Sequence, residues 1–314
     1  MFGYNLCQSG LTLRSITQQD MEFLDSPTGI TLTQTHQKTP FDPIAARRHT
    51  FGLLNETSNE EWEDIRKKTI RASWYANPKN PLDDVDNPGL WNEKNMLPNF
   101  HCPKKEMVPK RQKGEVKYVC NPQRLSYDGK EDSCLIYSFG CAGDFSFEDE
   151  IFHMHNKTCE IHIFDPAKWG RKNDIPNKNI HYHAWGLKST YDNSKSIVWP
   201  KGRGGGFKTF PETLELLGHR NRTIDILKMD CEGCEWSTVQ DWIHLNIRQI
   251  LVEMHGVPNP KGTPKARWYQ KRMNLNEYYG LYKESGYSLF SKEQNGKLSL
   301  ELSFMKMTED FWKR

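Results

Sequence analysis

An α/β fold built on a mostly parallel, twisted sheet is what this sequence predicts, on three observations. Short apolar runs, among them residues 135–139, 224–229 and 249–252, alternate with stretches whose apolar residues recur at helical spacing. The first run is followed at once by a turn holding Gly140 and Gly143. The chain closes differently: residues 287–292 and 298–305 flank Asn295-Gly296, a hairpin signal, so the final strand enters antiparallel.

Taken in order, residues 1–57 are polar and aperiodic and read as an extended or partly disordered arm. Ser58 and Glu61 form a capping box ahead of Trp62, Ile65, Thr69 and Trp74, which predicts a helix near 58–75. Residues 77–111 are rich in Pro, Asn and Lys and read as an irregular surface wrap anchored by Trp91, Phe100 and Tyr118. Residues 1–115 are therefore assigned to an N-terminal extension and 116–314 to the main domain. Within it, residues 135–139 make a strand buried on both faces. Ser146 and Asp149 stand near capping-box spacing before a helix with Phe147, Ile151 and Met154 on one face. Residues 160–164 form a second strand ending in Asp165, and 180–185 a third. Leu214 and Leu217 lie on a short helix closed by Gly218. Residues 224–229 deliver Asp230, Glu232 and Glu235 to the sheet edge, and Trp236, Val239 and Ile243 mark the next helix. Residues 249–252 lead to Glu253 and His255, and a helix opening at Thr263-Pro264 runs to about Gly286.

Hydrophobic residues make up only 36% of the chain, but 15 Phe, 10 Trp and 12 Tyr supply large burial per side chain. With 43 basic and 40 acidic residues the net charge is +3, so no global field points to nucleic acid. Cys231-x-x-Cys234 has no second pair or spaced histidines, which argues against zinc. Cys102 and Cys120 flank a basic loop and suit either a disulfide in an oxidising compartment or two thiols in the cytosol. Sequons stand at Asn55, Asn156 and Asn221. Nothing near Met1 reads as a signal peptide, and no apolar run approaches the ~20 residues of a membrane span, so either the chain is cytosolic or it lacks its natural start. Residues 201–206 read as a flexible loop or, more sharply, a phosphate or substrate cradle.

The glycine turn and Asp165 meet where open α/β sheets bind ligands. A carboxylate there can accept hydrogen bonds from both ribose hydroxyls, which fits a nicotinamide dinucleotide or S-adenosylmethionine. The turn Gly140-Cys141-Ala142-Gly143-Asp144 lacks the third glycine of a dinucleotide site, and Asp144 would repel a pyrophosphate. The same acid suits a cofactor with an amino group and a sulfonium. Five parallel strands closed by a hairpin complete the Rossmann-like methyltransferase pattern.

Tyr118-Val-Cys-Asn-Pro-Gln-Arg124, Cys134-Leu-Ile-Tyr-Ser-Phe-Gly140, Gly143-Asp-Phe-Ser-Phe-Glu148, Phe164-Asp-Pro166 and Leu227-Lys-Met-Asp-Cys-Glu-Gly-Cys-Glu-Trp236 together resemble the methyltransferase-like protein 24 family, across about residues 100–305. Asp230-x-Glu-Gly-x-Glu235 is also similar to FkbM-type methyltransferases. The resemblance implies an S-adenosylmethionine-dependent methyltransferase, its members tending to lie in the secretory pathway behind an N-terminal anchor that is not visible here. It implies that Gly140 and Gly143 face the amino-acid end of the cofactor, with Phe139 and Asp144 beside them. Asp165 then faces the ribose, Ala184 to Gly186, with Trp185 between them, lie near the adenine, and Asp230 closes the site. The position of Asp230 also permits a helix N-cap.

Asp230, Glu232 and His255 are the candidate catalytic bases, at strand ends on the cofactor side. Glu253 with two of these carboxylates could instead hold a divalent cation, although no metal is assigned. His153, His155, His181 and His183 are given no role. The expected activity is methyl transfer, to oxygen, on a small molecule or glycan. The alternatives are a non-catalytic binding module of the same fold and a nicotinamide-dependent dehydrogenase.

Overall fold

The computed structural model describes residues 50–72, 96–110, 116–125, 134–155, 158–167, 179–191, 206–255, 275–295 and 299–312. Residues 1–49, Trp74, Trp91, Asn156, residues 201–205, Thr263-Pro264 and Gly296 lie outside them.

Before the main sheet come helix α1 (Asn59–Arg71) and the antiparallel pair β1 (Lys105–Val108) and β2 (Lys117–Cys120). The sheet itself uses β3 (Leu135–Phe139), β4 (Glu160–Phe164) and β5 (Ile180–His183), then β8 (Ile224–Met229), β9 (Ile247–His255), β10 (Tyr287–Asn295) and β11 (Ser299–Lys306). Helices α2 (Ser146–Met154), α3 (Phe210–Leu216), α4 (Cys234–Trp242) and α5 (Leu275–Glu284) connect them, and α6 (Glu309–Trp312) follows the last strand. A separate parallel pair, β6 (Gly186–Leu187) and β7 (Phe207–Lys208), precedes α3.

The seven strands run in the order β5-β4-β3-β8-β9-β11-β10. β5, β4, β3, β8 and β9 pair parallel, and β11 enters antiparallel between β9 and β10. This is the Rossmann-like arrangement expected, and its order reverses between β3 and β8. At that reversal, loops from neighbouring strands turn opposite ways and leave a crevice. Both faces are covered: Leu135, Tyr137 and Phe139 join one apolar cluster and Ile136 the other. Strands buried this way read as unbroken apolar runs, which is why β3 and β8 are visible in the sequence.

Ser58 accepts a hydrogen bond from the Glu61 amide, as its capping role requires, and α1 docks Trp62 edge-on to Phe311 at 5.8 Å. Leu53 and Leu54 are buried with Trp62, so the last part of the predicted arm is packed rather than loose. Ser146 is the first helical residue of α2 and not its cap; Asp144 Oδ1 accepts its amide at 3.0 Å instead. The third strand stops at His183 rather than at Trp185. β9 runs through Glu253 and His255, making both strand residues. Cys102–Cys120 and Cys134–Cys159 are disulfides, resolving the choice left open for the first pair.

Candidate functional site

The site begins with a close approach of two chain segments. After β3 the backbone turns through Gly140 at φ +83°, and a Cβ there would stand 1.6 Å from the Asp230 carbonyl oxygen. Only glycine allows the β3 turn and the end of β8 to touch. The contact is held by a hydrogen bond from Asp230 N to Phe139 O at 2.9 Å, and Gly140 N ties the turn to Phe164 O of β4 at 2.8 Å. Asp165, at the end of β4, fastens the same turn. Its Oδ2 accepts the Cys141 and Ala142 amides at 3.1 and 3.0 Å, and its Oδ1 accepts the Ala167 amide at 2.8 Å.

Beside these segments lies a cavity of about 420 Å³, a size suited to a small ligand. Phe139, Gly140, Asp165, Asp230 and Glu232 line it, as do Cys141, Ala142, Cys231 and Cys234. Phe139 and Phe164 stack at 4.4 Å on its apolar side. Gly143 and Asp144 continue the turn outside the lining, and Ala184 and Trp185 are not part of it either; Gly186, Leu187 and Phe207 form that wall. Gly186, the last residue of the segment expected near the adenine, packs so closely here that a Cβ would meet the Phe207 ring at 2.7 Å. His255 stands behind the lining, with Nε2 3.8 Å from both Asp230 and Glu232.

Beneath Asp230 lies a buried charge network that the sequence did not announce. Lys117 of β2 reaches Asp230 at 3.2 Å and Glu253 at 3.9 Å, and hydrogen-bonds Glu301 of β11. Burial opposes its charge, but Glu301, Asp230 and Glu253 outweigh burial and hold the ammonium well above its ordinary value. Burial, then the Asp230 and Glu301 carboxylates, push Glu253 up to about 8. Burial also opposes protonation of His255, yet Glu235, Glu253 and Asp230 prevail and raise it to about 9. Its ring and amide both donate to buried Glu235, at 3.1 and 2.8 Å.

Both shifts bind protons more tightly in the folded chain than in the unfolded one. The stabilisation is complete below the ordinary values of 4.5 for Glu253 and 6.5 for His255, and is lost as pH rises through about 8 and 9. Thermal melts should therefore show a falling Tm between pH 6.5 and 9, with a shallower fall in Glu253→Gln. A flat profile across that window would contradict the assignment.

Asp230, Glu253 and His255 are close enough to share a metal ion. The donor set fits one poorly, because Lys117 and Lys228, at 3.2 and 3.9 Å, already supply Asp230 with positive charge. Glu253 and His255 would also each have to release a proton.

A family profile described as a methyltransferase domain matches residues 44–306. Among curated proteins, the human protein named Probable methyltransferase-like protein 24 is 27% identical over 145 residues, covering 44% of this chain and 37% of that one. The rat protein of the same name is 26% identical over 145 residues, covering 44% and 38%. The chain thus matches well under half the length of these relatives. Among solved structures it is similar to human N-acetylserotonin methyltransferase in complex with SAM, at 12% identity and a TM-score of 0.28, covering 59% of this chain and 51% of that one. It is also similar to SAH-bound CalO1, a methyltransferase in calicheamicin biosynthesis, at 11% identity and a TM-score of 0.30, covering 59% and 52%. Likenesses this distant carry no argument about ligand or reaction. The family match does, since it runs from before α1 to the last residue of β11: the chain belongs to the methyltransferase domain family.

Proposed function

We propose that this domain binds S-adenosylmethionine in the cavity between the ends of β3, β4 and β8 and transfers its methyl group to an oxygen of a small molecule or glycan. The observation that carries this reading is the meeting of the β3 turn, Asp165 and Asp230 around one cavity of about 420 Å³. Gly140 and its neighbours Gly143 and Asp144 are assigned to the amino-acid end of the cofactor. Asp165 is assigned to the ribose, and the Gly186–Leu187 wall, adjoining Ala184 and Trp185, to the adenine.

Methyl transfer is an in-line displacement: the acceptor oxygen bonds the methyl carbon, the carbon–sulfur bond breaks, and the sulfonium leaves as a neutral thioether. The protein's contribution is alignment, exclusion of water and removal of the acceptor's proton. The Glu232 side chain is 79% exposed at the cavity rim, whereas that of Asp230 is 8% exposed and pinned by Lys117. Glu232 also sits at φ +57°, an unfavourable backbone for its type. We therefore assign proton removal to Glu232 and the field at the sulfonium to Asp230. His255 enters protonated and orients both carboxylates.

Three disulfides among the described residues fit an oxidising compartment, where glycan acceptors are available. Calorimetric titration with S-adenosylhomocysteine tests the cofactor assignment. Asp165→Ala should weaken binding about 10- to 100-fold, the loss expected for hydrogen bonds to a charged group. Equal affinity in the variant would contradict the ribose assignment. Cofactor binding with no turnover across a broad acceptor screen would favour the binding module.

A further inference from the structure

We propose that Cys231–Cys234 is an exchangeable disulfide in the cofactor cavity wall, opened by a dithiol, and that opening it weakens cofactor binding. The proposal rests on the cofactor reading above and adds a control point to it. Among the described residues three disulfides differ sharply in access. Cys102–Cys120 and Cys134–Cys159 are buried at all four cysteines, whereas Cys231 and Cys234 are only partly buried and line the cavity. They also differ in what they stabilise. The buried pairs are 18 and 25 residues apart, while Cys231–Cys234 closes a ring across a separation of 3. A ring that short removes little freedom from the unfolded chain, so conformational stability is a poor reason for it.

The ring instead holds a strained turn against the cofactor site. Glu232 at φ +57° and Gly233 at φ +110° are enclosed by it, and Asp230 immediately before it presses its carbonyl on Gly140. With the bond open, Glu232 can leave the left-handed region, which moves the proposed base and slackens the Asp230–Gly140 contact. The surroundings are also arranged for exchange. Cys234 is the first residue of the nine-residue α4, where the helix N-terminus favours a thiolate. Glu235 Oε2 lies 3.5 Å from Cys231 Sγ, ready to accept a thiol proton that exists only in the reduced form.

In the step proposed, a dithiol's thiolate attacks Cys231 Sγ, breaks the Cys231–Cys234 bond and forms a mixed disulfide, with Cys234 leaving as thiolate. The second thiolate of the reagent then displaces Cys231. The protein gains two electrons and two protons, and the dithiol is oxidised to its cyclic disulfide.

The test treats native protein with limiting dithiothreitol, alkylates it with N-ethylmaleimide and maps the labelled peptides. Cys231 and Cys234 should label first, and buried Cys141, whose thiol burial pushes up to about 12, should stay unlabelled. S-adenosylhomocysteine should bind the selectively reduced protein at least tenfold more weakly than the oxidised protein, with recovery on reoxidation. Cys231→Ser/Cys234→Ser should match the reduced protein and ignore the reductant. Labelling of all three pairs together, or equal affinity in both redox states, would overturn the proposal while leaving the cofactor site intact. Absence of binding in either state would overturn the cofactor reading and this proposal with it.

Discussion

Gly140→Ala is expected to lose cofactor binding and to destabilise the domain by about 3 kcal/mol or more, one of the largest single effects available in this fold. The added Cβ would lie 1.6 Å from the Asp230 carbonyl oxygen, which is backbone and has no rotamer to move into. Alanine at φ +83° adds about 1–2 kcal/mol of its own. The only relief is to part the β3 turn from the end of β8, and those two segments form the cavity. For a domain of this size the loss corresponds to a Tm drop of roughly 6–12 °C. Thermal melts with and without S-adenosylhomocysteine read both effects. A near-native Tm with ligand protection intact would show that the close approach is dispensable.

Lys117→Met should cost about 3–5 kcal/mol, because it leaves Asp230 and Glu301 in a buried site without their shared cation. The variant's stability should recover as pH is lowered, since protonation removes the uncompensated charge. Adding Glu301→Gln should restore part of the loss at neutral pH, a coupling expected of residues in one network. Denaturant titrations at pH 5 and pH 8 measure this directly. A loss below 1 kcal/mol at pH 8 would mean that the network is hydrated and contributes little.

Both effects involve contacts that differ in how visible they were in the sequence. The β3 turn and the acids after β4 and β8 could be read because each is local: an apolar run, a breaker, then a polar residue at a strand end. Gly140 was recognised as a turn residue, but its contact with Asp230 depends on strand order. Lys117 carries no local signal of its role, since β2, β9 and β11 bring it to Glu253 and Glu301 only in three dimensions. Of the segment Ala184 to Gly186 expected at the far wall, only Gly186 lines the cavity, because the strand ends at His183 and a short pairing draws Gly186 to Phe207. The Cys231-x-x-Cys234 pair lacks the further ligands of a zinc site, but its spacing does not choose between two thiols and a disulfide. His181 and His183, given no role from sequence, stack with His162 across β4 and β5, the His162 ring lying 4.8 Å and 5.1 Å from theirs.

A crystal structure with S-adenosylhomocysteine bound tests the central claim most directly. The account predicts the ligand between the Gly140–Ala142 turn and Asp165, its ribose hydroxyls on the Asp165 carboxylate and its sulfur facing Asp230 and Glu232. A ligand seated elsewhere on the protein, with this cavity left to solvent, would contradict it.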